Sequence, residues 1–442
     1  MSETTGNPNG AGPRRTSLGV IFLTLYIDLI GFSIFFPLFP SMLDYYLGRE
    51  GHSGLLGWLL VQVEALTRFS NLESHYTEVL FAGFLGSIYS LLQFVFAPVW
   101  GARSDRLGRR NVLLLTVAGT AGSYLVWMFS GSFLLFIVSR LIGGIMSGNL
   151  SVATAAVADV TSRENRAKGM GMIGVAFGLG FITGPAIGGI SARWNLLDSA
   201  PGLEAFGVNP FTVPAAVAFV LCTVNLFWIR ARFRETRTAD PSAPPVARER
   251  NPFALFRVDS AAIRRVNIVY FLYALCFSGM ELTLSFLAVE RLNYTVRELP
   301  LVFIFIGVVS ILTQGLVVRR LVPAIGEKLT ALIGIFLVAV GFVGLAYAGG
   351  VPGMYWSMAA VAMGSGLSHA ALSAIISLYA GQEVQGKMLG IFRSLGSLAR
   401  TVGPVLAGMM YWWFGSAAAY GAVGIVLLLP FMIATTLPHP GK

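Results

Sequence analysis

The sequence predicts an all-α membrane protein whose twelve transmembrane helices form two pseudo-symmetric six-helix bundles. Three observations carry that expectation. Of 442 residues, 55% are hydrophobic and only 12% are charged, with a mean hydropathy of +0.72, whereas ordinary soluble domains carry about 25% charged residues. Twelve apolar runs are long enough to cross a bilayer. A polar, proline-bearing stretch over 232–262 divides six of these runs from the other six.

Taken in order, residues 1–16 are polar and rich in Gly, Pro, Asn and Thr, and are expected to form a disordered cytoplasmic segment. The first helix is placed at 17–39 and carries Asp28; the run is too long for the core of a cleavable signal peptide. Residues 41–76 follow on the outer side. There Leu55, Leu56, Trp58 and Leu59 suit a short interfacial helix, while Asp44, Arg49, Glu50, Arg68 and Glu73 suit a solvated loop, and both readings stand. The second helix, 77–100, contains Gln93 and leads into a charge-dense turn at 101–110. The third, 111–129, contains Ser123 and Trp127; the fourth, 132–159, holds Arg140, Asn149 and Asp159. The fifth and sixth span 167–191 and 209–231, closing a first bundle at 17–231. After the cytoplasmic linker of 232–262 the second bundle, 263–437, comprises helices at 263–289, 296–319, 327–348, 352–380, 385–412 and 415–437. These carry Glu281, Gln314, His369, Arg393 and Arg400, and residues 438–442 form a short cytoplasmic tail.

Charge fixes the orientation. With both termini and the linker in the cytoplasm, the outer loops hold only Arg49, Arg68, Arg193, Arg291 and Arg297, so about 23 of the 31 basic residues lie inside. The net charge of +10 is therefore that of cytoplasmic loops beside a membrane and not that of a nucleic-acid binder. Cys222 and Cys276 both fall within apolar runs, where a thiol behaves as a small hydrophobe, and no disulfide framework or metal site is expected. Gly169-Met-Gly171-Met-Ile-Gly174 fits a dinucleotide-binding pattern, but no strand precedes it, and close helix packing accounts for the glycines. No nucleophile elbow, zinc signature or phosphate loop occurs, so no catalytic residues and no enzyme activity are expected.

The charge-dense turn reads Gly101-Ala-Arg-Ser-Asp105-Arg106-Leu-Gly108-Arg109-Arg110. It resembles the G-x-x-x-D-R-x-G-R-R signature between helices 2 and 3 of the major facilitator superfamily. A degenerate echo, Gly315-Leu-Val-Val-Arg319-Arg320 followed by Gly326-Glu-Lys328, follows helix 8 at the matching place. A second echo sets Gly184-Pro185-Ala-Ile-Gly188-Gly189 in helix 5 against Gly403-Pro404-Val-Leu-Ala-Gly408 in helix 11. Small residues at these spacings allow close helix approach, and proline loosens the local hydrogen-bond ladder. The helix 5 segment resembles the signature of the superfamily's antiporter branch. Asp28-Leu-Ile-Gly-Phe, Ser139-Arg140-Leu-Ile-Gly-Gly-Ile and Ala158-Asp159-Val-Thr resemble tetracycline-efflux proteins among the drug:proton antiporters. Helices 7 and 11, around Glu281 and from Arg393 to Arg400, are similar to tetracycline transporter-like proteins of animals.

The resemblance implies a latch in which Asp105 accepts from backbone amides at the start of helix 11 and Arg109 reaches Asp159, with Gly101, Arg106 and Gly108 completing the turn. A surface cluster that only sets topology is the alternative. It also implies that helices 1, 4, 7 and 10 line a central cavity bordered by helix 11. The ionisable residues in the interior of the apolar runs, away from their ends, all sit on those helices: Asp28, Arg140, Glu281, His369, Arg393 and Arg400. Each is costly in lipid unless paired or hydrated, and so marks a site.

Asp28, Glu281 and His369 are the proton-coupling candidates, with fixed ion pairing of the two acids and hydrogen-bonded packing of the histidine as alternatives. Arg393 and Arg400, seven residues apart on one helical face, are candidates with Arg140 for binding an anionic substrate. Gln93, Gln314, Trp127 and Asn149 complete the binding set.

The expected function is proton-coupled export of amphipathic organic anions or drugs by alternating access. The alternatives are transport of a sugar, lipid or zwitterion, or a transport-inactive receptor on the same fold. Ser123 stands where tetracycline pumps carry a carboxylate, which argues against tetracycline itself. The expected partners are a small-molecule substrate, protons and the bilayer. The proton is the coupling ion and no cofactor is expected; the chain is read as a multi-pass monomer, in the cytoplasmic membrane if the source is prokaryotic.

Overall fold

Prolines and glycines set where the apolar runs bend and stop. A computed structural model describes residues 18–51, 53–67, 77–161, 166–236, 260–295, 298–380 and 385–439. The first crossing is α1, Leu18–Ser33, a single 3-10 turn at Phe36–Leu38, and α2, Phe39–Glu50. Pro37 and Pro40 supply no N–H and so break the ladder between the two pieces. The helix thus runs past the expected end at 39 and places Asp44, Arg49 and Glu50 on α2. α3, Gly54–Thr67, settles the outer segment as helical: Leu56 is fully buried while Trp58 stands exposed. Arg68 and Glu73 lie outside the described residues.

α4, Thr77–Leu107, absorbs most of the charged motif that sequence placed in a loop. The turn reduces to Gly108, whose φ of 90° suits glycine, and α5, Arg109–Met128, begins at once. The fourth crossing is two helices and not one: α6, Phe133–Met146, and α7, Asn149–Val160, separated by Ser147 and Gly148. The cause is Trp100 of α4. Its indole donates to the Ile145 carbonyl at 2.6 Å, and its side chain lies 2.5 Å from where a Cβ on Gly148 would sit. α8, Arg166–Ser191, carries Pro185; α9, Leu196–Ser199, and a 3-10 turn lead to α10, Thr212–Arg232.

The second half opens with α11, Ala261–Leu292, capped by the Ser260 hydroxyl, which accepts from the Ile263 amide. α12, Leu299–Leu312, passes through a π-segment at Thr313–Val318 into α13, Arg319–Tyr347. α14, Val351–Tyr379, α15, Gln385–Val426, and α16, Leu428–Thr435, complete the chain. Among the described residues, ten apolar helical stretches reach membrane length, but two of them run for 49 and 48 residues. At 1.5 Å per residue each is about 70 Å long, twice the roughly 30 Å of a bilayer's hydrocarbon core. Gly326, φ 81°, and Gly415, φ 77°, fold each into two crossings, giving twelve. No strand occurs among the described residues, and the molecule is an all-α, multi-pass membrane protein.

The two halves meet along α4 with α15 and along α8 with α12. Small residues allow this. A Cβ on Gly83 would stand 2.5 Å from the Pro404 carbonyl, one on Gly408 would stand 3.1 Å from the Val79 carbonyl, and ones on Gly189 and Gly307 would overlap Pro300 and Ile182. All these contacts cluster at the ends of the helices remote from the 101–110 motif, where Ser285 of α11 also donates to the Phe36 carbonyl. Within each half one pairing recurs. Ser33 donates to the Gly180 carbonyl at 2.9 Å and fills the space opposite Gly184; Ser278 donates to the Ala399 carbonyl at 3.1 Å and fills the space opposite Gly403. The glycine–proline echo therefore has a structural counterpart: two helix pairs built on one plan.

Candidate functional site

Below the packed ends lies a cleft between the halves, with about 510 Å³ of non-atom space counting the open solvent at its mouth, walled by Phe32, Phe35, Phe36, Tyr89, Ser90, Arg140, Ser278, Leu282 and Arg400 among others. A smaller one adjoins it and shares Phe32, Tyr89 and Arg400, adding Asp28, Gln93, Leu150 and Phe181. Polar residues widely separated in sequence thus converge on one space: Asp28 from α1, Gln93 from α4, Arg140 from α6 and Arg400 from α15.

Asp28 is half-buried and accepts from the Asn149 amide at 2.7 Å. Asn149 in turn accepts from the Thr116 hydroxyl, making a chain from α5 through α7 to α1. Asn149 thus links Thr116 to Asp28. Among the described residues neither Asp28 nor Arg140 has an opposite charge within 4 Å, so Asp28 is in no fixed ion pair with a described residue, while the same alternative for Glu281 falls outside the described side chains.

Arg140 is 6% exposed and held in an aromatic cage, its guanidinium 5.3 Å from the Phe35 ring, 4.9 Å from Trp127 and 5.6 Å from Phe136. Its hydrogen bond is a long one, 3.4 Å, from Nε to the Ser139 hydroxyl. Trp127 is fully buried beneath that guanidinium and does not reach the cavity wall. In this structure its ring supports Arg140. Arg400 is half-buried and donates to Ser397 at 3.3 Å.

Arg393 does not share the cavity with Arg400. It donates across the divide between the halves to Thr154 of α7, at 3.5 Å. His369 of α14 is accessible, with the rings of Tyr270, Tyr273 and Phe277 edge-on to it at 5.9, 5.3 and 6.0 Å. No hydrogen bond holds it to another described residue, which removes hydrogen-bonded packing as its role. Gln314 is exposed on the π-segment, facing Gly178 of α8 and Gly366 of α14. Glu281 lies on α11, and its side chain is outside the described ones.

The charged motif forms its own cluster at the opposite end of the helices from the packed seam. Arg109, 3% exposed, bridges Asp105 at 2.8 Å and Asp159 at 3.0 Å, and donates to the Ser104 hydroxyl at 2.5 Å. Thr236 donates to Asp159 at 3.1 Å. The residue that sequence reasoning missed is Glu235. Its carboxylate accepts from the backbone N–H groups of Arg109 and Arg110 at 2.8 and 3.0 Å, filling the space beside Gly108 and capping α5, where the helix dipole favours an anion. An acid four residues past the end of the sixth apolar run was the available signal, hidden among Arg230, Arg232 and Arg234. Gly101 and Arg106 sit in the last turns of α4; the start of α15, which the latch expectation pairs with Asp105, falls partly outside the described residues.

Comparison with known proteins agrees with this arrangement. The family model of the Major Facilitator Superfamily matches residues 21–404. The cattle protein named major facilitator superfamily domain-containing protein 10 is 37% identical over 460 residues, covering 97% of this chain and 94% of its own. The class B tetracycline resistance protein of Escherichia coli is 26% identical over 430 residues, covering 95% and 96%. The crystal structure of the human organic anion transporter MFSD10 (TETRAN) superposes with a TM-score of 0.74 at 34% identity, covering 94% of this chain and 98% of that one.

Proposed function

The chain belongs to the Major Facilitator Superfamily, and we propose that within it this protein is a proton-coupled exporter of amphipathic organic anions working by alternating access. It is an integral, multi-pass membrane transporter and not an enzyme; both termini are assigned to the cytoplasm. One observation carries the substrate class. Arg140 is a buried guanidinium with no counter-ion among the described residues, on the wall of a cavity lined with phenylalanines. A buried unpaired charge is strongly unfavourable, and three rings offset only part of that, at about 2 kcal/mol each when desolvated. Most of its five N–H donors remain to be used, which suits a carboxylate or sulfonate whose apolar body rests on Phe32, Phe35 and Phe36.

Asp28 is the coupling acid in this reading. It adjoins the same cavity, and Arg400 borders both its pocket and that of Arg140. Anion occupancy and protonation of Asp28 are then linked electrostatically, and the linkage is reciprocal. That a relative bears the printed name of an organic anion transporter supports the same class.

A thermal-shift series on the purified protein tests the substrate class, because a ligand that binds only the folded state raises its melting point. Amphipathic sulfonates and carboxylates are expected to raise it, and Arg140→Gln is expected to abolish the rise. Stabilisation by sugars or zwitterions with no response to the anions would replace this reading by its alternatives.

A further inference from the structure

The break at Ser147–Gly148 leaves α7 as a separate rod of 12 residues, about 18 Å long. Among the described residues, three of its side chains make polar contacts outside the helix: Asn149, Thr154 and Asp159. At one end Asn149 donates to Asp28 of α1 at 2.7 Å. In the middle Thr154 accepts from Arg393 of α15, in the opposite half, at 3.5 Å. At the far end Asp159 accepts from Arg109 of α5 at 3.0 Å and from Thr236 at 3.1 Å. Steps of five residues turn a helix by about 140°, so the three contacts leave on three faces toward three different elements. The rod begins at a joint without continuous helical hydrogen bonding to α6, where Trp100 and Ser147 take over the Ile145 and Gly144 carbonyls.

We propose that α7 is a lever through which protonation of Asp28 sets the contact between the halves on the side of the 101–110 motif, with Asn149 as the positioning residue that transmits it. This rests on the reading of Asp28 as the coupling acid. The Asn149 amide oxygen accepts from the Thr116 hydroxyl, which also lies 2.9 Å from the Val112 carbonyl, and this arrangement turns the amide nitrogen toward Asp28 as a donor. A carboxylate accepts that bond with the help of its charge; a protonated acid accepts it about half as strongly. Proton binding thus loosens one end of the rod, and Thr154 and Asp159 lie on the rest of it. The groups that face Asp28 are Tyr89 and Gln93 from α4, Asn149 from α7 and Arg400 from α15, with Arg140 of α6 and Cys222 of α10 more distant. Among these described groups the two guanidiniums carry charge, and neither is bonded to Asp28.

The test uses the full chain in lipid nanodiscs, with spin labels on Ala231→Cys and Leu378→Cys, both exposed near the motif end of their helices. Cys222 and Cys276 are buried and take no label. Distances between the labels are measured from pH 5 to 8 in the parent, in Asp28→Asn, in Asn149→Leu, and in Ala155→Gly/Ala156→Gly, which softens the middle of the rod away from Asn149 and Asp159. The expected result is a distance distribution that shifts with pH in the parent, stays fixed in Asp28→Asn and Asn149→Leu, and shifts by less than half as much in the double-glycine variant. Should Asn149→Leu fail to fold, the double-glycine variant decides alone. A parent-like shift in either variant, with Asp28→Asn fixed, overturns the lever while leaving Asp28 as the coupling acid. No shift in the parent, or a parent-like shift in Asp28→Asn, removes the reading of Asp28 and the lever together.

Discussion

In the proposed function Arg140 would set the charge preference, because its burial removes water as a competitor while its aromatic cage leaves N–H donors unused. A hydrogen bond to a charged group contributes roughly 1.5–3 kcal/mol, or about 10- to 100-fold in affinity. Arg140→Gln is therefore expected to weaken binding of an anionic ligand by at least about tenfold, measured by calorimetric titration, and to leave a neutral ligand of similar shape unaffected. Trp127→Phe keeps a ring beneath the guanidinium, and its effect on the same titration is expected to be much smaller. Asp28, Arg140 and Arg400 were legible in the sequence because an ionisable side chain in an apolar run has few structural uses. The roles of Asn149 and Trp127 were not. Asn149 lies on a cavity-associated helix and Trp127 on the third apolar run, and only the fold shows that one donates to Asp28 and the other is sealed beneath Arg140. Glu235 was hidden for the opposite reason: in a cytoplasmic stretch rich in charge, one acid has nothing to distinguish it until the α5 N–H groups are seen to point at it.

Helix pairing is decided by small residues, and the pseudo-equivalent Ser33–Gly184 and Ser278–Gly403 contacts are its clearest case. Gly184→Leu and Gly403→Leu each force a side chain into occupied space, so each is expected to destabilise the protein by about 1–3 kcal/mol or more. Matched decreases in the melting temperature of the two variants would show that the halves share one packing plan. An unchanged temperature in either would show that its contact is not tight. Apolar run length placed most crossings within a few residues of where they lie, although the first runs on to Glu50 and the second to Leu107. In the fourth it missed the internal break, because nothing in 132–159 lowers its apolar character at Gly148; the break is imposed by Trp100, 48 residues earlier in the chain. The charged motif was likewise read as a loop on composition, whereas its charges ride on the last turns of α4 and only Gly108 leaves the helix.

At the scale of the molecule, two six-helix halves close against each other at one end and hold charged clusters at the other, with the cavity between. In the proposed function alternating access asks that the closed seam open and the motif side close, and the Asp105–Arg109–Asp159 cluster lies on the side that must close. Asp105→Asn is expected to abolish transport while lowering the melting temperature by little, since Arg109 keeps Asp159 and Ser104. Full transport activity in that variant would make the cluster a determinant of topology alone. The central claim is that one wet chamber couples an anion on Arg140 to a proton on Asp28. Its most direct measurement is flux of an amphipathic sulfonate in proteoliposomes under an imposed pH gradient. The account predicts gradient-driven flux in the parent protein, loss of the gradient dependence in Asp28→Asn, and at least about a tenfold loss of flux at low substrate in Arg140→Gln. Equal flux with and without the gradient, or parent-like behaviour in both variants, would contradict it.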